Sequence, residues 1–428
     1  MQNAWKKIIP LGILVLLLLC TLCFLSSCSA DLAPVQATAE AETKEVKTEE
    51  QAELLPKPHR VYRCDNGDVL SSYRVKNEEA FESVAKNYEG EGYTLYSESE
   101  IAGNLAKTYV KDSSLAHLYY HPTGKELNVV LSSAADTLPP AKPEKTGGNF
   151  PCTVTQLNQS PTATNGMGYV IQLKDGSFIV YDGGFLDSGD ELLDTLNDLS
   201  GGEKPLIRAW VLTHLHNDHY EAFLSLSRRK NIQELLTLEH VIYSPIPLEN
   251  PGNEREDTLW RIRLFESLVP LWGNAKVVYA HTGMKFTFCN LEMEILYTPE
   301  SLYKNLFSVE GSVEGFNNSS IISRLRDEKG SVLFTGDIAS WGANLTVRLY
   351  GDALASDMVQ MSHHGVESCP LVFYEKVKAS TLWYPCAHSL YESDRNKDLR
   401  DAVAAFPTTK EILIAGSGRI TRPFPGSF

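Results

Sequence analysis

The sequence predicts an α/β chain: a layered α/β domain over residues 150–428, preceded by a small α+β domain over residues 59–135. Three observations carry this. From Phe150 onward strand-like runs alternate with helical ones, the pattern of sheets covered by helices. A Pro- and Gly-containing linker, residues 136–149, separates that region from a shorter one in which strand patterns outnumber helical ones. The composition, 43% hydrophobic and 22% charged over 428 residues, is globular and suffices for two domains, which excludes a disordered, collagen-like or disulfide-miniprotein chain.

The elements follow in order. Lys6-Lys7, an apolar run from Ile8 to Leu25, and Leu25-Ser26-Ser27-Cys28 describe a secretory signal over residues 1–27. Leu-Ser-Ser-Cys resembles the bacterial lipobox, which implies that Cys28 is lipidated and that the exported protein is a lipoprotein on the outer face of the cell membrane. The alternative is an uncleaved anchor, since about 18 apolar residues can span a bilayer. Residues 28–58 read as a disordered tether, with Pro34, Pro56 and Pro58 and no aromatic residue. Beyond the signal and Cys28 stand Cys64, Cys152, Cys289, Cys369 and Cys386, an odd number at irregular spacing. They support neither a cysteine metal site nor a disulfide framework, although a single bridge such as Cys369–Cys386 stays open.

In the small domain Val69–Val75 reads as a strand and Glu78–Tyr88 as a helix with Phe81, Val84, Ala85 and Tyr88 on one face. Ser114–Tyr120 and Glu126–Ser132 flank a hairpin turn at His121-Pro122-Thr123-Gly124. His117 and His121 have no acid at ligand spacing and read as surface or turn histidines. In the large domain strands are expected at Cys152–Leu157, Tyr169–Leu173, Phe178–Tyr181, Leu206–Leu212, His240–Tyr243, Lys276–Tyr279, Leu291–Tyr297, Ser320–Leu325, Ser331–Phe334, Asp357–Met361, Ser380–Tyr384 and Glu411–Ile414. Helices are expected at Asp190–Leu199, Tyr220–Arg229, Thr258–Trp272, Ala343–Leu349, Leu371–Lys378 and Asp394–Ala405.

The chemistry begins where the apolar strand Ala209-Trp210-Val211-Leu212 ends, at Thr213-His214-Leu215-His216-Asn217-Asp218-His219. Four ligand-type side chains fall within six residues. Packed without a metal, they would carry unsatisfied groups and coupled charge, so the cluster points to metal ligation.

HxHxDH is the central motif of the metallo-β-lactamase superfamily, and the resemblance continues along residues 150–425. Ser177-Phe178-Ile179-Val180-Tyr181-Asp182-Gly183-Gly184 looks like that family's first motif, with Asp182 beneath the metals. Val332-Leu333-Phe334-Thr335-Gly336-Asp337 looks like its bridging-aspartate motif. Ser362-His363-His364-Gly365 resembles a motif of the soluble domain of the competence protein ComEC and of teichoic-acid phosphorylcholine esterases. His388 stands where the family places its last metal histidine. The resemblance implies a four-layer αβ/βα sandwich and two divalent metal ions, zinc before manganese. His214 and His216 would hold one ion, Asp218, His219 and His388 the other, and Asp337 would bridge. Asp218, His363 and His364 are the catalytic candidates; the pair His363-His364 either completes the metal set or serves the substrate, an assignment left open. Two ions polarise a substrate oxygen and lower the pKa of a water between them. His219 points away from antibiotic hydrolysis and towards binuclear hydrolases of phosphodiesters, lactones and thioesters.

The chain departs from the family after Leu291–Tyr297. Thr298-Pro299-Glu300, an insertion and Phe316-Asn317-Asn318-Ser319-Ser320 stand where many members have Pro-Gly-His-Thr, so a third histidine is missing from the first ion. Asn318 is expected beside the site, and His281 is the nearby candidate to replace the missing ligand. Tyr220-Glu221-Ala222 replaces a smaller sequence, which is expected to put a larger side chain at the mouth.

The expected function is an exported, membrane-anchored, metal-dependent hydrolase, a phosphodiesterase or phosphoesterase acting on cell-envelope phosphodiesters or small phosphoesters. The alternatives are a ComEC-like extracellular nuclease and a non-catalytic surface binding protein. The net charge of −15, or −17 once Lys6 and Lys7 leave with the signal, argues against duplex DNA as a partner. Because Cys28 follows a lipobox-like tetrad, the mature protein is expected to partition into detergent and to take up labelled palmitate. Cys28→Ala should abolish the label, and continued labelling would remove the lipoprotein reading.

Overall fold

The structure, a computed structural model, describes residues 55–246, 255–302, 316–366 and 368–426; the signal, Cys28 and the tether up to residue 54 lie outside them. Strands β1 (Arg60–Arg63), β2 (Val69–Arg74), β3 (Thr94–Ile101), β4 (Asn104–Lys111), β5 (Ser114–His121) and β6 (Glu126–Ser132) form an antiparallel sheet ordered β1-β2-β6-β5-β4-β3. Helix α1 (Glu79–Gly90) lays Phe81, Val84, Ala85 and Tyr88 against Tyr109, Leu118 and Leu127 of that sheet. The helix face and the hairpin are legible in the sequence. Strands β3 and β4 are not, because β3 is an edge strand whose Ser97, Glu98, Ser99 and Glu100 show no hydrophobic alternation and whose register shifts after Leu95.

Two further sheets face each other. The first comprises β7 (Thr153–Gln156), β8 (Gly168–Gln172), β9 (Phe178–Asp182), β10 (Leu206–Val211), β12 (His240–Tyr243) and β13 (Lys276–Tyr279), with the short β11 (Thr237–Leu238) beside β10. The second runs in order through β14 (Lys285–Phe288), β15 (Leu291–Tyr297), β16 (Ile322–Arg326), β17 (Ser331–Phe334), β18 (Met358–Gln360), β19 (Thr381–Tyr384) and β20 (Glu411–Ile414). The last strand, β21 (Ile420–Pro423), returns to pair antiparallel with β7.

Alternation along these strands decides the layering. Ile179, Tyr181, Ala209 and Val211 point into one apolar layer together with Met293, Phe334 and Trp383 of the opposite sheet. There Tyr181 stacks on Phe334 with ring centroids 3.9 Å apart, and Tyr169 meets Phe334 and Trp383 edge-on. Their neighbours Val180 and Trp210 point the other way, onto α2 (Ser188–Leu199), α3 (Asn217–Ser227), α4 (Ile232–Leu235) and α5 (Arg255–Leu268). On the far face Leu333, Val359 and Leu382 pack on α6 (Ser340–Tyr350), α7 (Leu371–Val377) and α9 (Lys397–Ala404), with α8 (His388–Tyr391) between the last two. Helix, sheet, sheet, helix: this is the expected four-layer α/β sandwich. All five described cysteines, Cys64, Cys152, Cys289, Cys369 and Cys386, are buried and unbridged, so the Cys369–Cys386 bridge does not form. Among the described residues no helix is long and apolar enough to cross a membrane.

The described residues form one unit, and the small sheet meets the sandwich through buried polar groups. Asp68, in the turn between β1 and β2, takes His281 Nε2 at 3.0 Å while Glu300 takes its Nδ1. His117 bonds Thr108 Oγ1 and the Thr282 carbonyl, each at 2.9 Å, and both His117 and His121 are buried rather than on the surface. Asn104 Nδ2 donates to the Leu349 carbonyl at 2.8 Å. His281 therefore replaces no metal ligand; both its ring nitrogens are committed to carboxylates.

Burial pushes the His281 imidazolium down, but Glu300 and Asp68 overcome this and hold its pKa up to about 10. An unfolded histidine titrates near pH 6.5, so this stabilisation is complete below about pH 6.5 and is lost as pH rises through the folded value. The melting temperature of the wild type is expected to fall between pH 6.5 and 10 more steeply than that of His281→Asn. That variant should cost about 3–5 kcal/mol at neutral pH, because it strands two buried carboxylates. Parallel pH profiles for the two proteins would contradict this account.

Candidate metal centre

The site forms along the edge where β9, β10, β17 and β18 end. Strand β9 stops at Asp182, whose φ of 53° turns the chain into Gly183 and Gly184. A Cβ on Gly183 would lie 2.8 Å from Ala222 Cβ, so only glycine lets α3 approach this closely. The fully buried Asp182 carboxylate accepts from Thr213 N, Thr213 Oγ1 and His219 Nδ1, each at 2.7 Å. Those bonds orient His219 so that its Nε2 lies 3.2 Å from Asp337 Oδ1. The helix expected from Tyr220 begins three residues earlier, at Asn217 inside the motif, with His216 extended as its N-cap.

Two groups of donors result: Asp218, His219, Asp337 and His364 in one, His214, His216 and Asp337 in the other. Within each group the donor atoms lie within 4.8 Å of one another, and Asp337 belongs to both. His214 Nε2 and His216 Nδ1 are 2.9 Å apart. The His214 ring is steadied at Nδ1 by Thr213 Oγ1 and Ser320 Oγ, each at 3.3 Å, and Ser320 Oγ also accepts from Asp337 N at 2.9 Å. Asn165 Nδ2 donates to Asp218 Oδ2.

His364 enters through a strained turn. His363, His364 and Gly365 have φ of 50°, 60° and 82° in succession. Left-handed residues other than glycine cost about 1–2 kcal/mol each. Ser362 offsets the strain by donating from Oγ to the Ile338 carbonyl at 2.7 Å and from N to Tyr374 Oη at 3.1 Å. The result is His364 Nε2 at 3.0 Å from Asp218 Oδ2, its Nδ1 held by the Pro385 carbonyl at 3.0 Å. His363 stands at the margin. Its side chain is 22% exposed, Nδ1 meets Ser368 Oγ at 3.0 Å, and Nε2 lies 4.0 Å from Asp337 Oδ2 and 3.4 Å from Asn317 Nδ2.

The electrostatics divide the groups. Burial drives His214 well below the usual histidine range and His216 down to about 4, so both are neutral with lone pairs available. In the other group burial also opposes charge, but Asp337, Asp182 and Asp218 hold His219 well above its usual range, and Asp337 and Asp218 hold His364 up to about 9. Burial likewise disfavours the Asp337 carboxylate, yet His219 and His364 keep it ionised. His219 Nε2, Asp337 Oδ1 and His364 Nε2 are buried and converge, with His364 Nε2 also 3.5 Å from Asp337 Oδ2. Buried imidazole nitrogens and carboxylate oxygens aimed at one centre fit divalent cations of the zinc and manganese type.

Two expected site residues lie elsewhere. His388 is not brought to the cluster: the chain passes Pro385 and turns into α8, leaving the His388 ring exposed on Ser417 Oγ at 2.9 Å. His364 occupies the donor position in its stead. Asn318 faces away, its Oδ1 accepting from Gly342 N at 2.9 Å near the start of α6, and its neighbour Asn317 faces the site. Tyr220 is buried rather than at the mouth. Phe316 packs on the His216 ring with centroids 4.4 Å apart. Sequence reasoning passed over Thr213, Ser320 and Asn165. Thr213 and Ser320 adjoin motifs already singled out, whereas Asn165 carries no local signal.

Residues 161–358 match the family model described as the metallo-β-lactamase superfamily. Among solved structures, the metallo-β-lactamase fold protein YhfI from Bacillus subtilis is 14% identical, with 63% of this chain and 99% of that chain covered and a TM-score of 0.41. CmlA, a diiron β-hydroxylase from Streptomyces venezuelae, is 11% identical over 64% of this chain and 54% of its own, with a TM-score of 0.40. Zn(2+)-bound PqqB from Methylobacterium extorquens is 10% identical over 64% of this chain and 100% of its own, also at 0.40. No curated protein matches the chain.

Since Asp337 contributes to both groups, Asp337→Ala is expected to lose most of two bound metal ions, whereas His388→Ala keeps them. Metal content by elemental analysis of the purified proteins checks this. Retention of both ions by Asp337→Ala would remove the shared-ligand assignment.

Proposed function

We propose that this chain, whose residues 161–358 match the metallo-β-lactamase superfamily model, is a metal-dependent phosphodiesterase anchored by lipid at the outer face of the cell membrane. The observation that carries the reading is the pair of donor groups sharing Asp337, with the partly exposed His363 at their margin. Two divalent cations would supply the charge that polarises a phosphoryl oxygen and makes water a nucleophile near neutral pH. The chain's own residues do the rest. His214 and His216 offer neutral nitrogens, Asp218 and Asp337 offer ionised oxygens, and Asp182 and the Pro385 carbonyl keep the His219 and His364 rings from rotating. His363 suits a hydrogen bond to the substrate: Ser368 Oγ orients one ring nitrogen and the other faces the cluster. A cell-envelope phosphodiester or a small phosphoester agrees with the tether and the acidic body better than duplex DNA does.

The purified enzyme is expected to turn over bis-p-nitrophenyl phosphate. His363→Ala should keep its metal and lose about 10²–10⁴-fold in kcat, while His364→Ala loses metal and activity together. Metal content and kcat measured on the same preparations decide the roles. Turnover of lactones or thioesters with no phosphodiester activity would show the reaction class to be wrong.

A further inference from the structure

The motif loop serves both donor groups at once. His214 and His216 belong to one, Asp218 and His219 to the other, and Asn217 is the residue between them. Asp182 fixes the two ends of this stretch through Thr213 and His219. The middle has a different support. Arg261, 44 residues from Asn217 in the chain, donates from Nη1 to the Leu215 carbonyl at 2.8 Å and to Asn217 Oδ1 at 2.6 Å. Its guanidinium lies over the Tyr220 ring, 6.0 Å from the centroid, so the first turn of α3 braces it from below. On helix α5, Ile262, next to Arg261, and Phe265, four residues beyond it, are buried in the core that holds Phe223 of α3.

We propose that Arg261 is a positioning residue that sets the separation of the two donor groups. It does so by holding the Leu215 carbonyl and the Asn217 side chain at the point where the loop passes from one group to the other. The inference rests on the metal-centre reading above. The physical reason is geometric: His216 makes no side-chain capping bond, so without Arg261 this part of the loop loses the brace that keeps the His216 ring beside His214. A planar guanidinium presents fixed donors and stacks on an aromatic ring, whereas an ammonium does neither in the same way. Lysine is therefore a poor replacement despite its charge. Groups that orient metal ligands contribute about 10–100-fold to metal affinity.

The test measures metal affinity by competition with a chromophoric chelator, using zinc and manganese, in the wild type, Arg261→Gln, Arg261→Lys, Asn217→Ala and the double variant Asn217→Ala/Arg261→Gln. The melting temperature of each metal-free protein and the split between kcat and KM are read alongside. The expected result is a 10–100-fold weaker affinity in Arg261→Gln, only partial recovery in Arg261→Lys, and a double variant little worse than the worse single one. Wild-type affinity in Arg261→Gln overturns the proposal. So does a rise in KM with metal affinity unchanged, which would make Arg261 a substrate clamp. If Arg261→Gln does not fold, Asn217→Ala alone decides by the same affinity measurement. Because the chelator assay needs no turnover, its failure is distinct from failure of the phosphodiesterase reading. A wild type that takes up no metal overturns both.

Discussion

One buried carboxylate organises the site. Asp182 has no exposure to water, and burial pushes its carboxyl upward against the pull of His219. Such a group is tolerable only with a full set of donors, and it takes them from a backbone amide, a hydroxyl and an imidazole on two different elements. That requirement ties the end of β9 to the loop after β10 and to the start of α3. The Gly183-Gly184 pair, the close approach of Ala222 and the orientation of His219 all follow from it.

The donor set above Asp182 has an internal logic of charge. Its carboxylates concentrate negative charge, and Asp337 with its neighbours Asp182 and Asp218 raises the pKa of the His219 ring, as Asp337 and Asp218 raise that of the His364 ring. The His214–His216 pair lies against Phe316 and answers oppositely, by staying neutral. The two groups thus differ in character although they share Asp337. The His214–His216 group has only three donors among the described residues, whereas the other has four. Ser320 steadies both groups through His214 and Asp337.

The small N-terminal sheet is coupled to the sandwich on the same side. Strands β10, β12 and β13 run parallel, so the segments following them, which hold His214, Ile246 and His281, emerge at one edge. The turn between β1 and β2 reaches that edge: Asp65 N donates to the Ile246 carbonyl at 3.0 Å, and Asp68 holds His281. Polar contacts of this kind demand matched geometry on both sides, because a buried partner left alone is costly. They bind the two parts in one register.

The sequence by itself determined the α/β class, most strands of the sandwich and the helix face of α1, and it singled out His214, His216, Asp218, His219, Asp337 and Asp182, which the fold brings together. These are legible because they lie in short contiguous patterns: strands with two-residue alternation, and a loop in which four donors are nearly adjacent. Edge strand β3 was illegible, since its alternating half-buried positions Ser97 and Ser99 carry serines and its register shifts after Leu95, which leaves no hydrophobic alternation. The choice between His364 and His388 was illegible for another reason. It depends on whether a left-handed turn at residues 363–365 or the start of α8 projects into the site, and φ angles held by distant contacts decide that. Asn165, Ser320 and Arg261 likewise come from far along the chain. Only the tertiary structure could bring them to the loop, because a hydrogen bond across dozens of residues leaves no periodicity for a sequence to display.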